Sequence, residues 1–231
     1  LSIPAAIGIH TVTAFLYNGF PARPFWNSSI LAPRFLASAF CSGPAVLLIL
    51  FQVLRKATGL EIKDEAIWKV AELMSYAMFF NLFLLGAEMF KEFYSATEHV
   101  LFTRYYWFGI GENRALVPFA WASFLASLAA FFLFLIPRTR KSWVGLNLGC
   151  VLIWAGVYIE KGIGLVLPGM TPDTLGEIYG YTPTLNEWMV ATGVFCVGFL
   201  VFTALVKVAV PIMSGTFRAE RPAPGAAAAV H

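Results

Sequence analysis

Charged side chains are scarce in this sequence. Of its 231 residues, 13% are charged and 59% are hydrophobic, and the mean hydropathy is +0.73. A soluble domain carries about 25% charged residues, so this chain has too little polar surface to fold in water. The shortage excludes an ordinary soluble enzyme and predicts an integral membrane protein in a lipid bilayer.

Metal-binding residues are also few. Cys41, Cys150 and Cys196 stand alone in separate apolar runs, without the CxxC spacing of an iron–sulfur or zinc site. The chain has three histidines, and only His10 falls inside an apolar run, so a haem with two histidine ligands is not encoded. We therefore predict no metal, no haem and no iron–sulfur cluster in this chain. Any redox chemistry then needs a diffusible carrier.

Six apolar stretches approach the roughly 20 residues that a helix needs to cross a hydrocarbon core of about 30 Å. They predict an all-α protein with transmembrane helices at about 1–20, 30–54, 66–90, 116–136, 143–167 and 187–210. Because the first stretch begins at Leu1, we expect the carboxyl-terminal part of a longer polypeptide. Residues 214–231 have no apolar periodicity and are predicted to form a flexible cytoplasmic tail.

The basic residues are divided unequally between the two sides of the membrane. With the loop after the second stretch facing the cytoplasm, that side holds ten of the 16 Lys and Arg residues and the other side holds six. The excess places loops 20–29, 91–115 and 168–186 outside. These loops are rich in Tyr, Trp, Pro and Gly, so we expect a partner protein on the outer face. Because the basic residues mostly flank apolar runs, the net charge of +3 indicates topology and not nucleic-acid binding.

Acidic residues cluster near the predicted outer helix ends. Glu88, Glu92, Glu160 and Glu187 come from three helices and would lie on one side of the membrane. An ionisable group at the bilayer centre costs about 2.5–3.5 kcal/mol on insertion scales, so each such group needs a physical reason.

A polar stripe is predicted along the third helix. Asn81, Glu88 and Glu92 share one face at 100° per residue, running from mid-membrane toward the outer surface. The alternative is that Glu88 and Glu92 are interfacial, pair with Lys91 and only mark the helix end. Both interpretations stay open on the sequence.

The first helix carries a second group of polar residues. His10, Thr13 and Tyr17 share a face, and Thr11 and Asn18 form an adjacent line. Histidine titrates near neutral pH and both donates and accepts hydrogen bonds, which favours a proton or small-molecule site. The alternative is a histidine that is simply hydrogen-bonded to a neighbouring helix.

Several segments together resemble a known family. Residues 7–15 read Ile-Gly-Ile-His-Thr-Val-Thr-Ala-Phe, and residues 23–43 run from Arg-Pro-Phe-Trp-Asn through Pro-Arg-Phe to Cys-Ser-Gly. Residues 158–161 read Tyr-Ile-Glu-Lys and residues 181–188 read Tyr-Thr-Pro-Thr-Leu-Asn-Glu-Trp. The combination resembles the NrfD/polysulfide-reductase (PsrC-like) membrane-subunit family. Among its branches, the chain is most similar to the DsrP-type membrane subunits of the Dsr complex of dissimilatory sulfur metabolism.

The resemblance implies a fold of two four-helix bundles, of which this chain would hold the second bundle and the last helix of the first. It implies electron exchange between menaquinone or ubiquinone and a ferredoxin-like iron–sulfur subunit docked on the periplasmic face. The setting would be a redox complex of several subunits in a bacterial or archaeal cytoplasmic (inner) membrane. Asn27 departs from the pattern, because relatives often carry histidine after the tryptophan.

The hypothesis from sequence is a quinone site beside the first helix, with proton release to the outside. The predicted quinone-binding residues are His10, Thr13, Tyr17, Asn18 and Asn81, and the predicted catalytic residues are His10, Glu88, Glu92, Glu160 and Glu187. Arg34 is expected to help dock the partner or a lipid headgroup. Two other classes stay open, an ion- or proton-coupled transporter and a purely structural membrane anchor.

Overall fold

The structure is a computed structural model that describes residues 2–95, 97, 100–171, 176–178, 180–181 and 183–215. Its α-helices are α1 (Ser2–Asn18), α2 (Leu31–Thr58), α3 (Asp64–Ser95), α4 (Val100–Phe108), α5 (Val117–Leu135), α6 (Pro137–Arg140), α7 (Trp143–Met170) and α8 (Leu185–Met213). The all-α prediction is confirmed for the described residues. Of the predicted tail, residues 216–231 lie outside the described residues.

Five helices in the described part of the chain are long and apolar enough to cross a membrane, namely α2, α3, α5, α7 and α8. The α1 helix has 17 described residues, at the short end of the range for a crossing. The chain is therefore a multi-pass membrane protein, and a sixth span at 1–20 stays a prediction.

The outer loop predicted at 91–115 contains more helix than expected. The α3 helix continues to Ser95, because Glu, Lys and Met are good helix formers and extend the apolar run. A separate helix, α4, then buries Tyr105, Tyr106 and Trp107. Aromatic residues that sequence reasoning assigned to a docking loop thus pack inside the protein.

The chain divides into two compact units. The first contains Leu1–Val53 and Ile62–Thr182, and the second contains Leu54–Glu61 and Pro183–His231. In the second unit, α8 starts with a capping box between Thr184 and Glu187. The Glu187 carboxylate accepts the backbone N–H of Thr184 at 2.6 Å, which satisfies a donor at the helix start.

The core of the first unit comes from four helices. Side chains of α2, α3, α5 and α7, such as Leu48, Met78, Phe134 and Ile153, are almost fully buried against one another. Lipid is as apolar as these side chains, so helices in a membrane associate mainly by close packing. The fold therefore depends on how closely these helices approach.

The loop between α1 and α2 is fixed to the end of α7. The Trp26 indole Nε1 donates to the Leu165 carbonyl at 2.8 Å, and Arg23 Nη1 donates to the Met170 carbonyl at 2.9 Å. A Cβ at Gly169 would collide with the indole, so glycine is needed for this contact. The start of α2 is thereby held close to α7.

Glycines on α7 allow α5 to pack closely against it. A Cβ at Gly149 would lie 2.8 Å from the Phe134 ring, and a Cβ at Gly156 would lie 2.6 Å from Ser127 Oγ and 3.0 Å from the Ser123 carbonyl. Small residues at such crossings let the two backbones approach each other. These two glycines therefore determine the α5–α7 spacing.

We expect Gly156→Ala to lower the thermal unfolding midpoint of the purified protein in detergent. The added methyl group must displace α5 backbone, and overpacking of this kind costs about 1–3 kcal/mol. Gly86→Ala on α3 is the matched control, because a Cβ there meets nothing within 4 Å. Equal midpoints for the two variants would show that Gly156 does not set the spacing.

Candidate functional site

Arg34 is the centre of a buried ionic cluster. It lies in the first turn of α2 and is 8% exposed. Its Nη1 forms an ion pair with Glu88 of α3, and its Nη2 donates to Glu160 Oε1 of α7 at 2.5 Å. Lys161 Nζ lies 3.0 Å from the same Glu160 oxygen. Two cations and two carboxylates therefore neutralise one another inside the first unit.

The expectation that Arg34 docks a partner or a lipid headgroup is wrong. Its guanidinium is turned inward and is engaged by carboxylates from two other helices. A planar guanidinium presents several donors in a fixed geometry, so one arginine bridges two acids. Burying charges is costly unless each one is paired and hydrogen-bonded. This pairing is what allows Glu88 and Glu160 to lie inside the protein.

Glu92 extends the acidic set along α3. It is 6% exposed, and its Oε1 lies 3.2 Å from Lys91 Nζ. The ion pair with Lys91 agrees with the alternative in which Glu92 is interfacial. The burial of the carboxylate does not agree with it, because an interfacial carboxylate would be exposed at the membrane surface. Its Oε2 is buried and has no hydrogen-bond partner among the described residues. Asn81 is 1% exposed on the same helix, and its Oδ1 also has no partner there.

A small space lies beside the carboxylates of the ionic cluster and Glu92. This space, the ionic cavity, has a volume of about 40 Å³ and is lined by Arg34, Glu88, Glu92, Tyr106, Glu160, Lys161 and neighbouring residues of α3, α4, α5 and α7. A cavity can hold one buried water when its volume is roughly 10–15 Å³ or more and when it offers that water two to four polar partners. The ionic cavity can therefore hold water molecules, but it is too small for an organic ligand.

Tyr106 contributes a proton donor to the ionic cavity. Its Oη is buried beside Ser123, another residue of the cavity lining. Burial raises the pKa of Tyr106 to about 12, so the hydroxyl keeps its proton at physiological pH. Gly164 of α7 makes room for this ring, because a Cβ there would collide with the phenol.

A much larger space lies between α1, α2 and α7. This space, the histidine cavity, has a volume of about 480 Å³. Its polar lining is His10, Thr13, Ser38, Ser42, Tyr158 and Lys161, and its apolar lining includes Ile9, Phe35, Trp154 and Val157. Small-molecule sites have volumes of about 300–1,000 Å³ and combine apolar walls with a few polar groups. The histidine cavity fits that description.

The His10 ring is oriented by its own helix. Its Nδ1 lies 2.8 Å from the Ala6 carbonyl. A carbonyl only accepts, so Nδ1 must carry the hydrogen, which leaves Nε2 as an acceptor in the neutral ring and a donor in the charged ring. Thr13 Oγ1 donates to the Ile9 carbonyl at 2.8 Å. Its oxygen lone pairs still allow it to accept a hydrogen bond from a ligand.

An apolar groove continues the histidine cavity along α1 and α2. The groove has a volume of about 380 Å³ and is lined by Ile3, Ala6, Ile7, His10, Leu36, Ala39, Phe40, Gly43, Pro44 and Leu47. It shares His10 and Ala39 with the histidine cavity. A polar chamber that opens into an apolar groove suits a molecule with a polar ring and a long hydrocarbon chain.

Two predicted quinone ligands on α1 have structural roles in the fold. Tyr17 packs edge-on against Trp26, with ring centroids 4.9 Å apart, and against Phe35 at 6.1 Å. The Asn18 side chain accepts the backbone N–H of Ser28 at 3.2 Å. Neither residue is part of the histidine-cavity lining. Their role as quinone ligands stays a prediction.

The predicted acids divide into two sets. Glu88, Glu92 and Glu160 line one cavity, as the convergence of the helix ends suggested. Glu187 belongs to the second unit, where it caps α8. Asn81 lies on the buried face of α3, but it is not part of either cavity lining.

Sequence reasoning missed four residues of the histidine cavity. Ser38 and Ser42 are one helical turn apart on α2, and Tyr158 and Lys161 are one turn apart on α7. The i, i+4 and i, i+3 spacings were a usable signal. These residues belong to the segments that carry the family resemblance, but none of the four was predicted to bind a ligand.

Comparison with known proteins identifies the family. The family model described as "Polysulphide reductase, NrfD" matches residues 1–171, which include every residue lining the two cavities and the groove. The chain belongs to the NrfD family.

Three relatives of this NrfD-family chain are named as subunits of larger enzymes. It is 27% identical to a putative dimethyl sulfoxide reductase membrane subunit of Halobacterium salinarum, over 88% of this chain and 50% of the relative. It is 26% identical to a selenate reductase subunit of Mesobacillus selenatarsenatis, over 92% of this chain and 50% of the relative. It is 21% identical to the Hdr-like menaquinol oxidoreductase integral membrane subunit of Archaeoglobus fulgidus, over 90% and 55%. The chain spans about half the length of these curated relatives.

We expect Arg34→Met to destabilise this NrfD-family chain by about 3–5 kcal/mol, because two buried carboxylates lose their shared cation. The double variant Arg34→Met with Glu160→Gln removes one of the two unpaired carboxylates, and we expect it to recover part of the lost stability. Both are measured by thermal unfolding in detergent.

The matched control for Arg34→Met is Arg104→Met, because Arg104 is exposed on α4. A substitution at such a position changes stability by no more than about 0.5 kcal/mol. An Arg34→Met variant as stable as this control would mean that the cluster does not support the fold.

Proposed function

We propose that this chain is a quinone-interacting membrane subunit of a respiratory redox complex. It exchanges electrons between membrane quinone or quinol and an iron–sulfur subunit docked on the periplasmic face. The observation that carries the proposal is the histidine cavity with its apolar continuation. The names of the relatives support it, since two are subunits of reductases and one is a subunit of a menaquinol oxidoreductase.

The residues of the histidine cavity fit a quinone ring. A quinone presents two carbonyl oxygens that accept hydrogen bonds, and Tyr158, Lys161 and the charged form of His10 carry donors into the cavity lining. Phe35 and Trp154 supply flat aromatic walls. The groove along residues 36–47 of α2 is apolar, as an isoprenoid chain requires. Menaquinone and ubiquinone both match this description.

A bound quinone supplies two-electron, two-proton redox chemistry. The part assigned to His10 is to hold or release one proton at Nε2, since Nδ1 is occupied by the Ala6 carbonyl. Thr13 and Ser42 donate their hydroxyl hydrogens to the Ile9 and Ser38 carbonyls, so their remaining lone pairs can accept a hydrogen bond from a quinol hydroxyl. The walls of Phe35 and Val157 exclude water from the ring. Electrons pass to the partner subunit, which this chain would hold on its outer face.

Proton release is proposed to follow the ionic cavity. Glu88, Glu92 and Glu160 lie at the predicted outer end of α3 and α7 and line a space with room for water. Protons move readily between carboxylates and water molecules in such chains. Proton translocation across the membrane is part of this proposal.

The buried ionic cluster also favours a second candidate, a transporter that couples proton or cation movement to a substrate. Mass spectrometry of the purified complex for iron–sulfur subunits, with lipid extraction for bound quinone, separates the classes. A redox subunit is expected to copurify with both, a transporter with neither, and a structural anchor with the subunits alone.

We expect His10→Ala to weaken quinone binding about tenfold, because one hydrogen bond worth roughly 1–1.5 kcal/mol is lost. The dissociation constant is measured with a quinone-site inhibitor on the purified complex. Thr11→Val is the matched control, because its hydroxyl is bonded to the Ile7 carbonyl at 2.8 Å and it does not line the cavity.

A steric variant tests the same cavity independently. Ala39 lies where the histidine cavity joins the groove, so Ala39→Phe is expected to abolish quinone binding. Normal affinity in both His10→Ala and Ala39→Phe would reject the histidine cavity as the quinone site.

For the proton path, we expect Glu92→Gln to lower the number of protons released on the outer side of the membrane per quinol oxidised. Glu92 is suited to this test because it lies outside the Arg34 ion pairs, so the fold should be retained. The measurement uses a pH-sensitive dye with the complex in proteoliposomes. Glu112→Gln, at an exposed residue, is the control. An unchanged proton yield in Glu92→Gln would remove Glu92 from the path.

A further inference from the structure

Lys161 lies between the two cavities. Among the residues that the structure describes, Lys161 is the one that lines both the histidine cavity and the ionic cavity. Its ammonium group carries a proton that it can release. We propose that Lys161 passes a proton between the two, and so connects the redox site to the buried carboxylates. This inference rests on the proposed function, because it takes the quinone ring to lie in the histidine cavity.

The contacts of Lys161 place its ammonium group at the boundary. Nζ is 3.0 Å from Glu160 Oε1 on the ionic-cavity side and 5.3 Å from the centroid of the Phe35 ring, which is part of the histidine-cavity wall. Its side chain is 18% exposed. An ammonium has three N–H donors, so the bond to Glu160 leaves donors for a ring oxygen in the histidine cavity.

Because of the charges around Lys161, loss of its proton to one cavity favours uptake of a proton from the other. Arg34 and Lys161 balance Glu88 and Glu160, so the cluster is neutral while Lys161 is charged. When Lys161 loses a proton, the cluster carries a net negative charge in a region of low dielectric, where electrostatic interactions are strong. That charge draws a replacement proton from the side of the ionic cavity.

Arg34 and Lys161 differ in whether they can release a proton. The guanidinium of Arg34 stays protonated at any physiological pH and pairs with both acids. The amine of Lys161 is able to give up its proton and regain it. A second arginine at position 161 would neutralise Glu160 equally well, but it would not transfer protons.

The step balances in both directions. In quinone reduction, Lys161 gives one proton from Nζ to a ring oxygen, so an N–H bond breaks and an O–H bond forms, while two electrons come from the iron–sulfur partner. His10 Nε2 gives the second proton, and the Lys161 amine is reprotonated through Glu160. In quinol oxidation, the neutral amine of Lys161 takes one hydroxyl proton and passes it to Glu160, and neutral His10 Nε2 takes the other. Two O–H bonds break, and two electrons leave to the same partner.

The deciding experiment is Lys161→Arg in the purified complex, with quinone affinity and turnover both measured. We expect the dissociation constant for the quinone-site inhibitor and KM to stay within about twofold of wild type, since the charge and donors remain. We expect kcat to fall about 100-fold, which is the usual scale for losing one acid–base group. Infrared difference spectra on quinone reduction should lose the carboxyl signal that Glu160→Gln also removes.

Two further variants keep the test decisive. Lys161→Gln keeps a hydrogen-bond donor without a titratable proton, and the same loss of kcat is expected, so either variant that assembles gives the answer. Lys69→Arg is the matched control, because Lys69 and Glu72 form an exposed pair at 3.3 Å away from both cavities. Its turnover should equal wild type.

The outcomes separate this inference from the function on which it rests. Wild-type turnover in Lys161→Arg, with an unchanged carboxyl signal, overturns the role of Lys161 and leaves the quinone site in place. Absence of quinone binding to the wild-type complex overturns the proposed function itself. Normal affinity in both His10→Ala and Ala39→Phe removes the quinone site on which this inference rests.

Discussion

The ion pairs from Arg34 to Glu88 and Glu160 hold together three helices that otherwise meet through apolar contacts. In a bilayer, an unpaired carboxylate within a helix would be costly enough to displace the segment or to force its protonation. One guanidinium satisfies a carboxylate on α3 and another on α7, so three segments far apart in sequence are aligned in depth. The ionic cavity, the position of Lys161 and the boundary with the histidine cavity all follow from that alignment.

Close helix packing serves the site as well as the fold. Gly156 lets α5 approach α7, and Gly164 makes room for the Tyr106 ring beside the ionic cavity. The loop carrying Trp26 is fixed to the Leu165 carbonyl on the same helix. The α7 helix thus presents small residues on one side and Tyr158 and Lys161 toward the histidine cavity on another. Its role in the site depends on both faces.

Much of the architecture was predictable from composition and periodicity, for a simple physical reason. A span of membrane helix needs about 20 apolar residues, and such runs are visible without knowledge of their neighbours. The shared face of Asn81 and Glu92 on α3 followed from the 100° period, and the structure buries both residues. The short α4 helix was missed because its aromatic residues resemble an interfacial loop in composition.

The partners of individual side chains were harder to predict. His10 was identified because a histidine in an apolar run is unusual, but the choice among Tyr17, Asn18 and Ser42 as its neighbours depends on how α1 is rotated against α2. The inward orientation of Arg34 depends on acids 54 and 126 positions further along the chain, which no local pattern reveals. Local spacing identifies which residues share a face, and tertiary packing decides what that face meets.

The apolar groove along α1 and α2 bears on how any ligand reaches the histidine cavity. Apart from His10, the residues that line it, from Ile3 to Leu47, are apolar, so a ligand with a hydrocarbon chain would approach laterally, from the lipid phase and not from water. Occupancy of such a site follows the mole fraction of ligand in the surrounding membrane and not its aqueous concentration. Diluting the lipid with detergent would then empty the site, even though the protein and the total amount of ligand stay the same.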